Sequence, residues 1–211
     1  MARAKKGILG PTEGTIGPLE TYIRKGVGII RSRKDKSNKK RSELQLAGQM
    51  NLTVVNVFIG QLTEFVRFGF DLEAAPTTKT ANNLAKSYQM KNALKGEYPN
   101  VEIDYSKVRL TSGTAKPADN PAVTVNEGHL TFTWDILSTW PDWTDMVMVA
   151  AYVPELKSAR YDLSGAKRVK GTEDLAIPIS WKGKVIETYI SFRAADGKSI
   201  ANSTYVGSVV F

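Results

Sequence analysis

The chain has 211 residues, 29 Lys and Arg against 21 Asp and Glu, a formal net charge of +8, one His and no Cys. That length supports one large domain or two small ones around an apolar core that needs no covalent staple. Without Cys there are no disulfide scaffolds, thiolate metal sites or Cys nucleophiles, and the redox compartment stays open.

The charge is uneven. Residues 1–42 hold twelve bases and three acids, a net of +9, while the remaining 169 residues hold 17 bases and 18 acids, a net of −1. The basicity therefore belongs to the first fifth of the chain. No stretch approaches the ~18 apolar residues of a membrane helix. The opening MARAKKGILGPTEG lacks the apolar segment of ~7 to 15 residues that an export signal carries. The expectation is a protein with no membrane insertion and no cleaved signal, located in the cytoplasm or in an assembled particle.

Residues 7–31 read as β structure punctuated by the turn formers Gly7, Gly10, Pro11, Gly14, Gly17 and Pro18. Two short apolar segments, LETYI and VGIIR, flank Arg24-Lys25-Gly26, which predicts a β-hairpin. A lone hairpin is marginal in water and must pair or pack against something else. Arg31 to Arg41, RSRKDKSNKKR, carries seven bases and one acid with no apolar side chain. It reads as a solvated linker or a polyanion-binding segment. Ser42-Glu43-Leu44-Gln45 then has the form of a capping box.

After that box a helical pattern runs to about Phe68, with Leu44, Ala47, Val54, Val55, Phe58, Leu62 and Phe65 at three- and four-residue steps. Its middle is rich in β-branched residues, which weakens the helix. Gly69 is the expected C-cap, and Pro76 stops continuation. A second helix is predicted from Thr80 to Gly96, so that the two form an αα-hairpin.

From Val101 the period becomes two. Val101, Ile103 and Tyr105 alternate, as do the apolar residues of LTFTWDI, and MVMVAAYV reads as a buried strand. Leu175, Ile177 and Ile179 continue the pattern, followed by Ile186, Thr188, Ile190 and Phe192. Asp196-Gly197 is the strongest hairpin signal. Seven to nine short strands predict an antiparallel β-sandwich of immunoglobulin or fibronectin-III type, giving an α+β chain overall. The expected organisation is a basic arm with a β-hairpin over 1–41, a helical hairpin over 42–97 and a sandwich over 98–211.

KKGILGP followed by IGP, the RSRKDKSNKKRSELQLAGQM junction, EYPNVEIDYSKVRLTSG, LTFTW and the ending YISFRAADGKSIANSTYVGSV together resemble an uncharacterised bacterial family of unknown function. The resemblance spans nearly the whole chain. It implies no assigned activity.

Chemistry-bearing constellations are sparse. With one His and no Cys, a metal site would rest on carboxylates, and Asp142 with Asp145 or Glu173 with Asp174 lack the spacing of an oxygen-ligated loop. They read as turn and capping carboxylates. His129 in NEGHLTFTW has no GxSxG elbow beside it, and GILGPTEGTIG matches no phosphate loop. No enzyme activity, cofactor, metal or small-molecule substrate is expected. Trp140 and Trp143 in STWPDWTDM form either a loop plug or a partner platform. Trp134 and Trp181 are core candidates. The basic run, Arg31, Arg33, Lys34, Lys36, Lys39, Lys40 and Arg41, is suited to nonspecific, salt-dependent contact with DNA or RNA phosphates, and it has no aromatic for base stacking.

Two functional expectations follow. The first is a non-enzymatic structural protein that self-assembles as a homo-oligomer, such as a filament, shell or virion-like component, through its arm and sandwich. The alternative is a nucleic-acid-associated protein that uses residues 31–41.

Overall fold

A computed structural model describes residues 3–4, 10–24, 26–34, 40–136 and 144–211. The chain divides into two compact units, Met1–Ser42 and Glu43–Phe211. The expected α+β content is present, with several antiparallel sheets and a few helices.

The first unit is a four-stranded antiparallel sheet in sequential order: β1 (Arg3–Ala4), β2 (Thr12–Ile16), β3 (Leu19–Arg24) and β4 (Val27–Ser32). The predicted hairpin is β3–β4, with Arg24 opposite Val27 across a two-residue turn. Two further strands precede it, so the lone hairpin expected from sequence is corrected to a meander. β2 lies inside the stretch read as β structure, but TEGTI has one apolar side chain and so sets no strand bounds, and the two-residue β1 carries no pattern.

The second unit opens with α1 (Glu43–Gln61), which starts directly after Ser42 as the capping pattern predicts. The long helical pattern is broken at Leu62, and α2 (Thr63–Gly69) and a short α3 (Asp71–Ala74) follow. At the break, the Thr63 hydroxyl donates to the Gly60 carbonyl (3.1 Å), and the Leu62 amide takes the tighter bond to Ile59 (3.0 Å). Such side-chain competition for backbone carbonyls bends helices. Gly69 is required for a reason other than capping: a Cβ there would lie 2.4 Å from the Leu110 carbonyl oxygen. The second predicted helix is α4 (Ala81–Asn92), whose N-cap Thr80 accepts from the Asn83 amide at 3.2 Å. It stops short of Gly96, and β5 (Leu94–Lys95) instead pairs with β6 (Glu102–Ile103).

Seven strands follow: β7 (Ala122–Asn126), β8 (His129–Thr133), β9 (Met146–Val153), β10 (Ser158–Asp162), β11 (Thr172–Ala176), β12 (Val185–Arg193) and β13 (Thr204–Val210). They form a three-stranded sheet ordered β11-β8-β7 and a four-stranded sheet ordered β10-β9-β12-β13, with antiparallel pairing throughout. The Asp196-Gly197 turn joins β12 to β13 as predicted, closed by Ala194 N–H to Ser199 O at 3.0 Å. A bulge lies between Thr188 and Tyr189.

The reason MVMVAAYV is apolar throughout is that β9 is covered on both faces. Val147, Val149, Ala151 and Val153 join Leu130, Phe132, Leu175, Ile190 and Phe192 in the core shared by the two sheets. Met148, Ala150 and Tyr152 meet Val55, Phe58, Ile59, Phe65 and Val66 of α1 and α2 in a second core. Antiparallel sheets commonly keep one wet face, and a strand buried on both sides loses its alternation. Phe58 meets Tyr152 edge to face at 4.9 Å, and Arg193 of β12 bonds Asp71 at 3.1 Å and stacks on Phe68.

Candidate functional site

The first unit differs from the second in one physical respect. None of its residues belongs to either apolar core, and Thr21 is its one buried side chain among the described residues. Side chains directly opposite one another in an antiparallel ladder share a face, so the register sorts the residues. Gly14 opposes Thr21, Ile16 opposes Leu19, and Thr21, Ile23 and Leu19 oppose Ile30, Gly28 and Ser32. One face thus presents Ile16, Leu19, Ile23 and Ile30 among Gly, Thr and Ser, with no charge. Ile16 is 50% exposed, Leu19 40% and Ile30 67%.

The opposite face is mixed: Tyr22, Val27 and Ile29 share it with charged residues of both signs. Glu20 opposes Arg31 and accepts from its guanidinium at 2.7 Å, and Arg31 also lies 5.6 Å from the Tyr22 ring centre. Residues 12–32 hold three bases and two acids, a net of +1. Along the sequence most of the net charge lies outside residues 12–32: +3 over residues 1–11, which include Arg3 of β1, and +5 over residues 33–41.

This distribution revises the basic run. Arg31 is a strand residue engaged by Glu20, not part of a linker. Arg33 and Lys34 follow the strand and are exposed, with the Arg33 amide donating to Pro18 O at 2.7 Å. Lys40 and Arg41 are exposed just ahead of α1. Lys36, Lys39, Trp140, Trp143 and Asp142 lie outside the described residues.

The remaining sequence candidates have structural partners. Trp134 is buried and its indole N–H donates to Arg168 O at 2.8 Å, while Trp181 is buried in the core between the sheets. His129 shares a bond between Nδ1 and Glu127 O at 3.0 Å. The Glu173 carboxylate accepts from the Ala166 amide, and Asp174 accepts from the Thr131 hydroxyl at 2.6 Å. Asp145 is buried beside Arg168. Among the described residues no three His, Cys, Asp or Glu side chains converge as metal ligands, and no helix is long and apolar enough to cross a membrane.

Two polar arrangements escaped sequence reading. Arg168 is fully buried: it bonds Lys116 O at 2.6 Å and Pro117 O at 3.0 Å and lies 3.7 Å from the Phe192 ring centre. In AKRVKG nothing distinguishes it from its exposed basic neighbours. Tyr205 O–H donates to the buried Glu187 at 2.6 Å, and Tyr189 O–H to Tyr105 O at 2.9 Å. Burial pushes the Tyr205 phenol up to about 12, reinforced by the Glu187 hydrogen bond, and burial raises Tyr105 and Tyr189 as well.

A family model described as a family of unknown function (DUF6266) matches residues 11–207. No curated protein and no solved structure matches the chain.

Proposed function

Because the chain belongs to the DUF6266 family of unknown function, we propose its role from its own surfaces: a non-enzymatic structural protein that assembles with copies of itself through the N-terminal sheet. The observation that carries this reading is the uncharged face of Ile16, Leu19, Ile23 and Ile30, with Ile23 half-buried and the other three exposed, on a sheet whose described residues form no apolar core of their own. A small sheet without a packed face is marginal in water. Four branched aliphatic side chains on one face gain roughly 1.5 to 3 kcal/mol each when fully buried, and a second copy supplies the same face for sheet-on-sheet packing. The open edge of β4 offers strand addition as the accompanying contact. A filament, shell or virion-like particle is the class of assembly this suits.

The second unit serves as scaffold in this reading. With β7 to β13 taken as strands A, B, C, C′, E, F and G, the sheets are A-B-E and C′-C-F-G, which supports an immunoglobulin or fibronectin-III-like sandwich. Light scattering coupled to size-exclusion chromatography across concentration tests the assembly. The wild type is expected to form oligomers, and Ile16→Thr with Ile30→Thr to return it to monomer while keeping strand propensity. A wild type that stays monomeric at high concentration sinks the proposal.

A second reading rests on the +5 segment that follows β4. It supports nonspecific contact with a nucleic-acid backbone, compatible with assembly around a polyanion. Duplex DNA affinity is expected to fall with salt at a log–log slope of about −0.9 per phosphate neutralised. Neutralising Arg33, Lys34, Lys39, Lys40 and Arg41 is expected to flatten that slope. A salt-insensitive affinity, or one that survives neutralisation, removes this reading.

A further inference from the structure

In the second unit, Arg109 is held more firmly than its surface position requires. The side chain of Gln89, fully buried on α4, grips its backbone from both sides: Gln89 Nε2 donates to Arg109 O at 2.5 Å, and Arg109 N–H donates to Gln89 Oε1 at 3.3 Å. The Ser203 hydroxyl fixes the next residue by accepting from the Leu110 amide at 2.7 Å. The guanidinium stacks on the Tyr88 ring, 4.4 Å from its centre. A stacked guanidinium keeps its in-plane N–H donors free for a planar oxyanion.

Arg109 makes no ion pair among the described residues, unlike Lys107 two residues before it, which pairs with Asp104 at 2.9 Å. It stands instead on the rim between two cavities of about 420 and 340 Å³. The larger is also lined by Lys198, Ser112, Thr114, Ser199 and Asn202. The Lys198 ammonium likewise makes no ion pair among the described residues, while its main-chain amide donates to Asp196 Oδ1 at 2.9 Å. Gly113 in the same wall lets the main chain pack against residue 200, because a Cβ there would lie 2.2 Å from Ile200 O. The one acid in the wall is Glu73.

We propose that this cavity is a binding site for a small oxyanion, a phosphate or carboxylate group of a soluble ligand, with Arg109 as the bidentate donor and Lys198 as the second charge. Hydroxyl and amide groups of Ser112, Thr114, Ser199 and Asn202 complete the donor set. Glu73 opposes the charge and limits affinity. The site is independent of the N-terminal sheet and of any assembly through it.

Thermal shift and calorimetry on the full chain, with inorganic phosphate in one arm and succinate in the other, test the site and separate the two sources of oxyanion. A saturable stabilisation in at least one arm is expected, weakening as sodium chloride rises. Arg109→Gln is expected to weaken binding by about tenfold or more, as loss of a charged hydrogen-bond donor does. Lys198→Gln is expected to weaken it less, and Lys91→Gln, whose residue lines neither cavity, to leave it unchanged. Glu73→Gln has the opposite expected sign and tightens binding. No saturable response in either arm, equal affinity in Arg109→Gln, or weaker binding in Glu73→Gln would each overturn the assignment. Should Arg109→Gln fail to fold, the Glu73→Gln sign decides.

Discussion

Arg168 shows what one side chain can hold together. It is fully buried, and its charge is met by two main-chain carbonyls, by Asp145 at 3.5 Å and by the face of Phe192. Its own carbonyl receives the Trp134 indole, so that Trp134 and Arg168 pack on Phe192 together. Removing one member of a buried pair strands the other charge, which costs about 3 to 5 kcal/mol. Arg168→Met is therefore expected to lower the unfolding free energy by an amount in that range, read from a denaturant titration. A loss below about 1 kcal/mol, the size of a surface pair, would show that Asp145 is solvated when unpaired.

The tyrosines on the other side of β12 titrate against the fold. The Tyr205 phenol rises from 10.0 to about 12 because it is buried and donates to Glu187. A raised folded-state value means the native state holds its proton where the unfolded chain has lost it. The resulting stability is complete below pH 10 and is lost as pH climbs towards 12. The melting temperature is expected to decline over that interval, and Tyr205→Phe to make the decline shallower. A melting temperature that is flat across the interval contradicts this coupling.

At the scale of elements, sequence reading succeeded where one local rule agreed with burial. Ser42 and Thr80 mark real helix starts, the Asp196-Gly197 turn joins real strands, and MVMVAAYV is a strand buried on both faces. It left the answer open where packing decided. The pattern from Leu44 to Phe65 carries no signal that Thr63 will divide it, because the break lies in hydroxyl-to-carbonyl competition and leaves the apolar spacing intact. The bounds of β2 were not legible within its β stretch, because three of its five residues are polar and one is Gly. Of the candidate site, the positive charge and the hairpin were legible, whereas the uncharged face emerges only when register sets Ile16 opposite Leu19 and Thr21 opposite Ile30. Gly69 is the same lesson in a single position. Gly69→Ala forces the end of α2 away from the Leu110 carbonyl and is expected to cost about 1 to 3 kcal/mol by overpacking. Cleavage of the native protein near residues 69 and 110 under limited proteolysis should rise with it, whereas an unchanged denaturation curve would mean the helix end has room to move.

Over the whole molecule, net charge and packed core are divided unequally. The body of 169 residues is nearly neutral and holds both apolar cores found among the described residues. The N-terminal unit leaves Ile16, Leu19 and Ile30 exposed on the face opposite the Glu20–Arg31 pair. Net positive charge is concentrated in residues 1–11 and 33–41. The proposed self-association through the sheet would bring these cationic segments together on neighbouring copies. Their mutual repulsion opposes assembly at low salt unless a polyanion is present, which links the two proposed roles through ionic strength.

The double coverage of β9 and β12 has an evolutionary consequence. A strand pair with helices on one side and a second sheet on the other gives its alternate residues to different layers: Met148 and Tyr189 to the core shared with the helices, Val149 and Ile190 to the core between the sheets. A segment inserted or slipped by one residue there would exchange the two sets of side chains between two differently shaped cores at once. The helical segment cannot be lost or exchanged as a module without baring one face of the middle sheet.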